Sequence, residues 1–223
     1  MLFRSRRADL AGVDIEIGGK FGTGRLSSKL IGAFNAENLL AALGTLLAHG
    51  MPMRLACAAL SAAKPAPGRM EVLGGLPAKP WVVIDYAHTP DALQRVLATL
   101  EAAVTGELWC VFGCGGDRDR GKRALMGAVA ADLADRIVVT DDNPRSEDPA
   151  AIVADIRSGV GEHPRVSVIH DRRAALAHAI GKARPGDVVL IAGKGHETEQ
   201  IVDRERRSFS DRAVVAELLG VTP

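Results

Sequence analysis

From Trp81 onward the chain alternates short, unbroken apolar runs with stretches of helical periodicity. WVVID (81–85), LWCVFG (108–113), RIVVT (136–140), VSVIH (166–170) and DVVLIAG (187–193) read as strands. Helices are expected between them, from about Pro90 to Ala103, Lys122 to Ala134, Pro149 to Gly159, and over 172–183. Strands apolar at consecutive positions are buried on both faces. Their alternation with helices predicts an α/β fold with a mostly parallel sheet and helices on both faces.

The residues before this series read differently. Two strands are expected, LFRSRRADLAGVDIEIGG and FGTGRLSSKL, followed by two helices. The first helix, from about Asn35 to His49, carries Leu39, Leu40, Leu43, Leu46 and Leu47 on one stripe and stops at Gly50. The second, RLACAALSAA, runs into KPAPGR, whose prolines and glycine read as a linker. A boundary near Pro67 then divides the chain into domains 1–67 and 68–223.

Ligands of parallel α/β sheets bind beyond the carboxyl ends of the strands. The unusual polar stretches fall there: DYAHTPD after the first strand of the series, GCGGDRDRGK after the second, DDNPRSED after the third and GKGHE after the last. Four such loops on one edge of one sheet make a single site the economical reading.

Composition narrows the partners. With 28 basic and 27 acidic residues, no general attraction to nucleic acid or an anionic membrane is expected. Aromatics at 4% argue against a base-stacking platform. No apolar stretch reaches the roughly 18 residues of a membrane helix. Cys57, Cys110 and Cys114 form no disulfide framework and suit a reducing cytoplasm; Cys110 and Cys114 lack the second pair that a structural metal site needs.

Each loop has a chemical and a bland reading. In GCGGDRDRGKR (113–123) the glycines ahead of a helix suit an anion held by backbone N–H groups, and Arg118, Arg120, Lys122 and Arg123 suit a carboxylate or phosphate. Its spacing is neither that of the dinucleotide fingerprint nor that of the P-loop, and a tight turn with solvated charges is the competing reading. DDNPR (141–145) offers the acceptors Asp141 and Asp142, the amide of Asn143 and the guanidinium of Arg145, stiffened by Pro144. That mixture matches an amino acid, with carboxylate and ammonium on one carbon. Capping of the next helix would account for Ser146 or Asp148 but not for Asn143 and Arg145. In GKGHE (193–197) the glycines permit close backbone approach and Glu197 supplies a charge for an ammonium; His196 and Glu197 alone are too few for a metal. Asp85 and His88 of DYAHTPD suit a phosphate, a ribose or magnesium, with Thr89 read as a helix cap. No serine lies on a nucleophile elbow, which sets a hydrolase aside.

In this order and spacing, the stretches LIGAFNAENLLAALGTLL, APGRMEV, VVIDYAHTPDAL, VFGCGGDRDRGKR, VVTDDNPRSEDP, VLIAGKGHETEQ and FSDRAVV resemble the Mur ligase family of peptidoglycan synthesis, in its diaminopimelate-adding type. The resemblance covers about residues 30–220. It implies a Rossmann-like C-terminal domain that binds the incoming amino acid, meso-2,6-diaminopimelate where the loop reads DNPR. It further implies that Arg118, Asn143 and Arg145, with Asp142 and Pro144 in the same loop, grip the distal carboxylate, and that Gly193 and Glu197 hold the distal ammonium. Asn38 is implied near adenine, Arg69 near the phosphates, and Asp85 and His88 near ATP. The implied reaction is ATP- and Mg2+-dependent amide formation on UDP-N-acetylmuramoyl-L-alanyl-D-glutamate through an acyl phosphate.

The sequence departs from that family in having no G-x-x-x-x-G-K-[ST]; the nearest string, GTGR at 22–25, lacks the lysine. Residues 1–67 therefore read as a remnant of the central ATPase domain, and the chain as the C-terminal portion of such a ligase, a cytoplasmic monomer without a confident metal site of its own. Two functions stay open: the amino-acid-binding part of a ligase, and a stand-alone diaminopimelate-binding module. A nucleotide-binding oxidoreductase is disfavoured by the missing dinucleotide fingerprint.

Overall fold

The computed structural model describes residues 2–75 and 78–222, and of residues 2–8 the backbone alone. The chain forms two compact units, Met1–Pro65 and Ala66–Pro223.

In the first unit, β1 (Leu2–Asp9), β2 (Gly12–Gly18) and β3 (Gly24–Ser28) make an antiparallel meander, followed by α1 (Ala33–Ala48) and α2 (Met53–Ser61). The expected first strand is thus a hairpin, and the unit has three strands rather than two. The turn hides in ADLAG: the Asp9 carboxylate accepts from the Ala11 N–H at 2.8 Å, and Gly12 takes a positive φ that its neighbours could not adopt cheaply. Val13, Ile15 and Ile17 alternate inward on β2 and meet Leu39, Leu40, Leu43 and Leu47 of α1. Leu46, expected on the same stripe, is only half-buried, while Gly50 ends the helix as expected.

The second unit holds a six-stranded sheet in the order β4-β5-β9-β6-β7-β8. The five predicted strands, β5 (Trp81–Asp85), β6 (Leu108–Phe112), β7 (Arg136–Val139), β8 (Val166–Val168) and β9 (Val188–Ala192), are all parallel. Four elements escaped the sequence reading: β4 (Glu71–Gly74), an antiparallel edge strand; the hairpin β10 (Glu199–Val202) and β11 (Glu205–Ser208); and α7 (Asp211–Leu219).

The intervening helices are α3 (Pro90–Glu101), α4 (Gly121–Leu133), α5 (Pro149–Val160) and α6 (Arg172–Lys182), each within a residue or two of expectation. On one face of the sheet, Val82, Ile84, Trp109, Val111, Val138, Val189 and Ile191 pack against α6 and α7. The alternate residues Val83, Cys110, Phe112 and Leu190 are fully buried on the other face, where α3 packs on the sheet and α4 lies between α3 and α5. Thr89, Asp148, Asp171 and Ser210 cap α3, α5, α6 and α7 with their side-chain oxygens. Because β9 inserts between β5 and β6, its carboxyl-end loop is flanked by theirs, the crevice position typical of such sheets.

Helices α4 and α5 approach through glycines. A Cβ on Gly159 would lie 1.7 Å from the Ala124 carbonyl oxygen, and one on Gly127 2.2 Å from that of Ile156. Gly181 on α6 has open space around it. Gly181→Ala should therefore gain up to ~1 kcal/mol of helix propensity. Gly159→Ala should lose a net ~1–3 kcal/mol as the helices are pushed apart. Denaturant unfolding of the two variants beside the parent chain checks the opposite signs.

Candidate functional site

The loops after β5, β6, β7 and β9 enclose a cavity of about 490 Å³. Behind its lining residues Asn143 and Glu197 lies Lys194, which follows the five fully buried residues of β9 and is itself fully buried. An ammonium out of water needs acceptors. Nζ donates to Asn143 Oδ1 and to Glu197 Oε2, both at 3.0 Å, and lies 3.9 Å from Asp142 Oδ1. The glycines on either side make this possible: a Cβ at Gly193 would meet Asp142 Oδ2 at 2.6 Å, and one at Gly195 would meet Tyr86 Cβ at 2.7 Å. GKGHE is thus a packed corner, not a solvated turn.

Asn143 links three elements. Its Nδ2 donates to Glu197 Oε2 at 2.9 Å, and its Oδ1 accepts from Lys194 and, at 2.9 Å, from the Ile201 N–H of β10. The hairpin also grips the backbone of Arg145, whose N–H donates to the Ile201 carbonyl and whose carbonyl accepts from the Asp203 N–H. These bonds hold Arg145 at a φ of +52°, a conformation that non-glycine residues reach at a cost of about 1–3 kcal/mol. Its Nη1 donates to the Gly116 carbonyl at 2.7 Å, leaving Nε and Nη2 for a ligand.

The glycine-rich loop is closed differently from expectation. The N–H groups of Gly116, Asp117 and Gly121 already donate to Asn143 O, Glu147 Oε1 and Asp119 Oδ1, so they form no open anion cradle. Its basic residues divide by role. Arg123 is fully buried and pairs with Glu147 and Asp155, each at 2.9 Å, and Arg120 pairs with Glu147. Arg118 and Lys122 line the cavity; Arg118 spends only Nη1, on the Asp117 carbonyl, and Lys122 donates to the His88 carbonyl. Ser146, a candidate cap, instead donates to Asp117, and Asp148 is the cap of α5.

Of the sequence-predicted residues, Arg118, Asp142, Asn143, Arg145, Gly193, Glu197 and His88 line this one cavity. Pro144 is buried behind its loop, with its carbonyl 1.8 Å from where a Gly116 Cβ would be. Arg69 lies against the ring of Tyr86, its guanidinium carbon 4.9 Å from the centroid. Asp85 is turned inward, its Oδ2 accepting from the Met70 N–H at 2.8 Å. Asn38 is exposed on α1 of the first unit. Asp141 is not in the cavity; it accepts from His170 Nδ1. The sequence reading missed Tyr86, Asp119 and above all Lys194, whose one signal was a lysine between glycines directly after an apolar strand.

Charge in the cavity is separated. Burial raises the pKa of Asp142, with the charges of Arg172 and Lys194 opposing it. Burial also works against the Glu197 carboxylate, but hydrogen bonds from Asn143 and Lys194 outweigh it, and its pKa is lowered. Glu197 is therefore an anion with Oε2 bound inward and Oε1 open, facing two guanidiniums across the cavity. The three cysteines are free and buried, and burial pushes the Cys114 thiol up to about 12.

Residues 68–195 match the family model of the Mur ligase glutamate ligase domain. The chain belongs to the Mur ligase family. It is 49% identical over 212 residues to the UDP-N-acetylmuramoyl-L-alanyl-D-glutamate–2,6-diaminopimelate ligase of Vibrio vulnificus (strain YJ016), covering 95% of this chain and 43% of that protein. A solved UDP-N-acetylmuramoyl-L-alanyl-D-glutamate–2,6-diaminopimelate ligase superposes with a TM-score of 0.76 at 42% identity, over 98% of this chain and 45% of the other. The folylpolyglutamate synthase of Thermotoga maritima shares the fold, with a TM-score of 0.66 at 24% identity over 86% and 43% of the two chains. This Mur ligase chain thus spans less than half the length of each of these relatives. No helix among its described residues is long and apolar enough to cross a membrane.

In this family member the wall of the cavity depends on Glu147. Hydrogen bonds from Arg123 and from the Asp117 N–H hold its pKa down to about 2, against an ordinary 4.5. Because folding favours the ionised form, its stabilising contribution is complete above 4.5 and is lost as pH falls toward 2. The melting-temperature gap between the parent and Glu147→Gln should be present at neutral pH and close progressively below 4.5, as followed by circular dichroism.

Proposed function

We propose that this chain supplies the amino-acid-binding part of an ATP-dependent ligase that adds meso-2,6-diaminopimelate to UDP-N-acetylmuramoyl-L-alanyl-D-glutamate in peptidoglycan synthesis. The observation that carries the reading is the pairing, in one cavity, of two guanidiniums with donors left over, Arg118 and Arg145, with an ionised Glu197 beside Asp142. One end of diaminopimelate bears a carboxylate and an ammonium on the same carbon. The guanidiniums and the second Nδ2–H of Asn143 suit the carboxylate; Glu197 Oε1 suits the ammonium. Lysine offers the ammonium alone and leaves the buried Asn143 and half-buried Arg145 donors unmatched, which is how a polar site rejects an analogue that lacks a partner group.

ATP supplies the phosphoryl group that turns the peptide carboxylate into an acyl phosphate, open to attack by the incoming amine. The residues of this chain bind and orient that amine's carrier. Arg69, exposed against Tyr86, and Lys122, beside His88, have the charge to meet phosphate oxygens. Asp85 holds its own loop through Met70. The ATP-dependent reaction also calls for Mg2+; among the described residues no group of three or more His, Cys, Asp or Glu is arranged to hold a metal ion. Residues 1–67 are read as the end of the ATPase domain and 68–223 as the amino-acid-binding domain. The alternative, a binding module without chemistry, has one observation in its favour: every residue lining the cavity lies in the second unit.

Calorimetric titration with meso-diaminopimelate and L-lysine tests the reading. The parent chain should favour diaminopimelate at least tenfold. Arg145→Ala should weaken diaminopimelate binding by ~1.5–3 kcal/mol, the worth of hydrogen bonds to a charged group, while barely affecting lysine. Equal affinity for the two amino acids, or an unaffected variant, would sink the substrate assignment.

A further inference from the structure

We infer that Lys194 is the positioning residue that sets the cavity's selectivity for a zwitterionic end group, acting through Asn143 and Glu197 rather than by touching the ligand. The inference rests on the diaminopimelate reading above. An asparagine amide can present either its oxygen or its NH2 to a cavity. Here Oδ1 faces two donors, the Lys194 ammonium and the Ile201 N–H. Turning the amide over would set its NH2 against both, three donors with no acceptor. Lys194 therefore locks Asn143 with Nδ2 toward Glu197 and the cavity, where its second hydrogen is a donor that suits a carboxylate and repels an ammonium.

The same ammonium bonds Glu197 Oε2 on its inner side, so the carboxylate points a single free oxygen outward. One buried cation thus assigns polarity to both halves of the site: donor at Asn143, acceptor at Glu197. It has no path to the ligand, being fully buried beneath the two side chains that it orients. It also supplies the counter-charge for Asp142 and Glu197 together; without it the floor would carry two adjacent carboxylates and would favour a cation of any kind.

The test compares the parent chain with Lys194→Met, Glu197→Gln and the double variant, using meso-diaminopimelate and L-lysine as calorimetric probes. Each single change should weaken diaminopimelate binding at least tenfold. In Lys194→Met lysine should bind as well as in the parent or better, so that selectivity falls at least tenfold. A merely structural loosening would weaken both ligands in parallel. The double variant removes the ammonium with one of its two carboxylates, and the Asp142 carboxylate left behind keeps the charge of Arg172, so it should fold even where Lys194→Met does not. Its diaminopimelate affinity should lie within about threefold of that of Glu197→Gln, since coupled residues are non-additive. Unchanged selectivity in Lys194→Met, or a further loss of tenfold or more from Glu197→Gln to the double variant, would overturn the inference. If the parent chain itself shows no preference for diaminopimelate, it is the substrate reading that fails.

Discussion

Moving an ammonium from water into a protein interior costs several kcal/mol even after relaxation, and an interior that holds one must be built around its acceptors. Lys194 imposes that condition on the carboxyl edge of the sheet. Its partners come from the loop after β7 and from its own loop, so those two must close on each other. Close approach excludes side chains at Gly193 and Gly195, and it brings in the β10–β11 hairpin, whose Ile201 N–H shares Asn143 Oδ1. A second charged pair stands behind. Arg172 and Asp211, both fully buried, meet in a two-pronged bond at 2.8 Å, and the Arg172 charge acts on Asp142. Charges thus alternate from Glu197 through Lys194, Asp142 and Arg172 to Asp211 at the start of α7. Removing any one takes a counter-charge from a neighbour, so the site is stiff because its parts cannot be relaxed singly.

A parallel logic sorts the basic residues of DRDRGKR, which are chemically alike and functionally not. Arg123 is buried between Glu147 and Asp155, and Arg120 completes the set on Glu147. These two join the glycine-rich loop to the loop after β7, and neither lines the cavity. Arg118, with one N–H spent on a neighbouring carbonyl, and Lys122, held by the His88 carbonyl, face the cavity. Arginine serves the structural role well, since its fork spans two carboxylates at once.

The sheet was readable because double burial leaves a mark: WVVID, LWCVF and VVLIA are apolar at consecutive positions, and nothing else in a soluble protein asks for that. β10 and β11 leave no such mark. EQIV is short and mostly half-buried, ERRS is polar and exposed throughout, and they pair through a two-residue turn whose Asp203 takes a positive φ. The β1–β2 turn was hidden for a related reason, a left-handed glycine in ADLAG with no Asn-Gly or Asp-Gly to announce it. At the site, the sequence marked which loops line the cavity but not which polar groups turn inward. Asp142 faces the cavity and Asp141 a histidine, though they are adjacent and identical; both lie in the loop beyond β7, and only its packing says which way each points. Lys194 was harder still, because its acceptor Asn143 lies 51 residues away in the chain.

Selectivity between two amino acids that share an ammonium must come from the carboxylate that one of them lacks. Exposed donors cannot supply much of it, because water satisfies them equally well when the carboxylate is missing; Arg118, open to solvent, falls in this class. Discrimination requires donors that water reaches poorly and that cannot turn to another partner. Arg145 is half-buried, with its backbone clamped by the hairpin and one nitrogen fixed on Gly116. Asn143 is buried, and its amide cannot turn over while Lys194 holds its oxygen. Bound lysine would leave both with unmatched donors at the cost of ~1–3 kcal/mol for each, a factor of roughly five to a hundred and fifty per group. If the cavity takes diaminopimelate as proposed, its discriminating power resides less in the guanidinium that meets the ligand first than in the pair that the buried ammonium and the hairpin prevent from adapting.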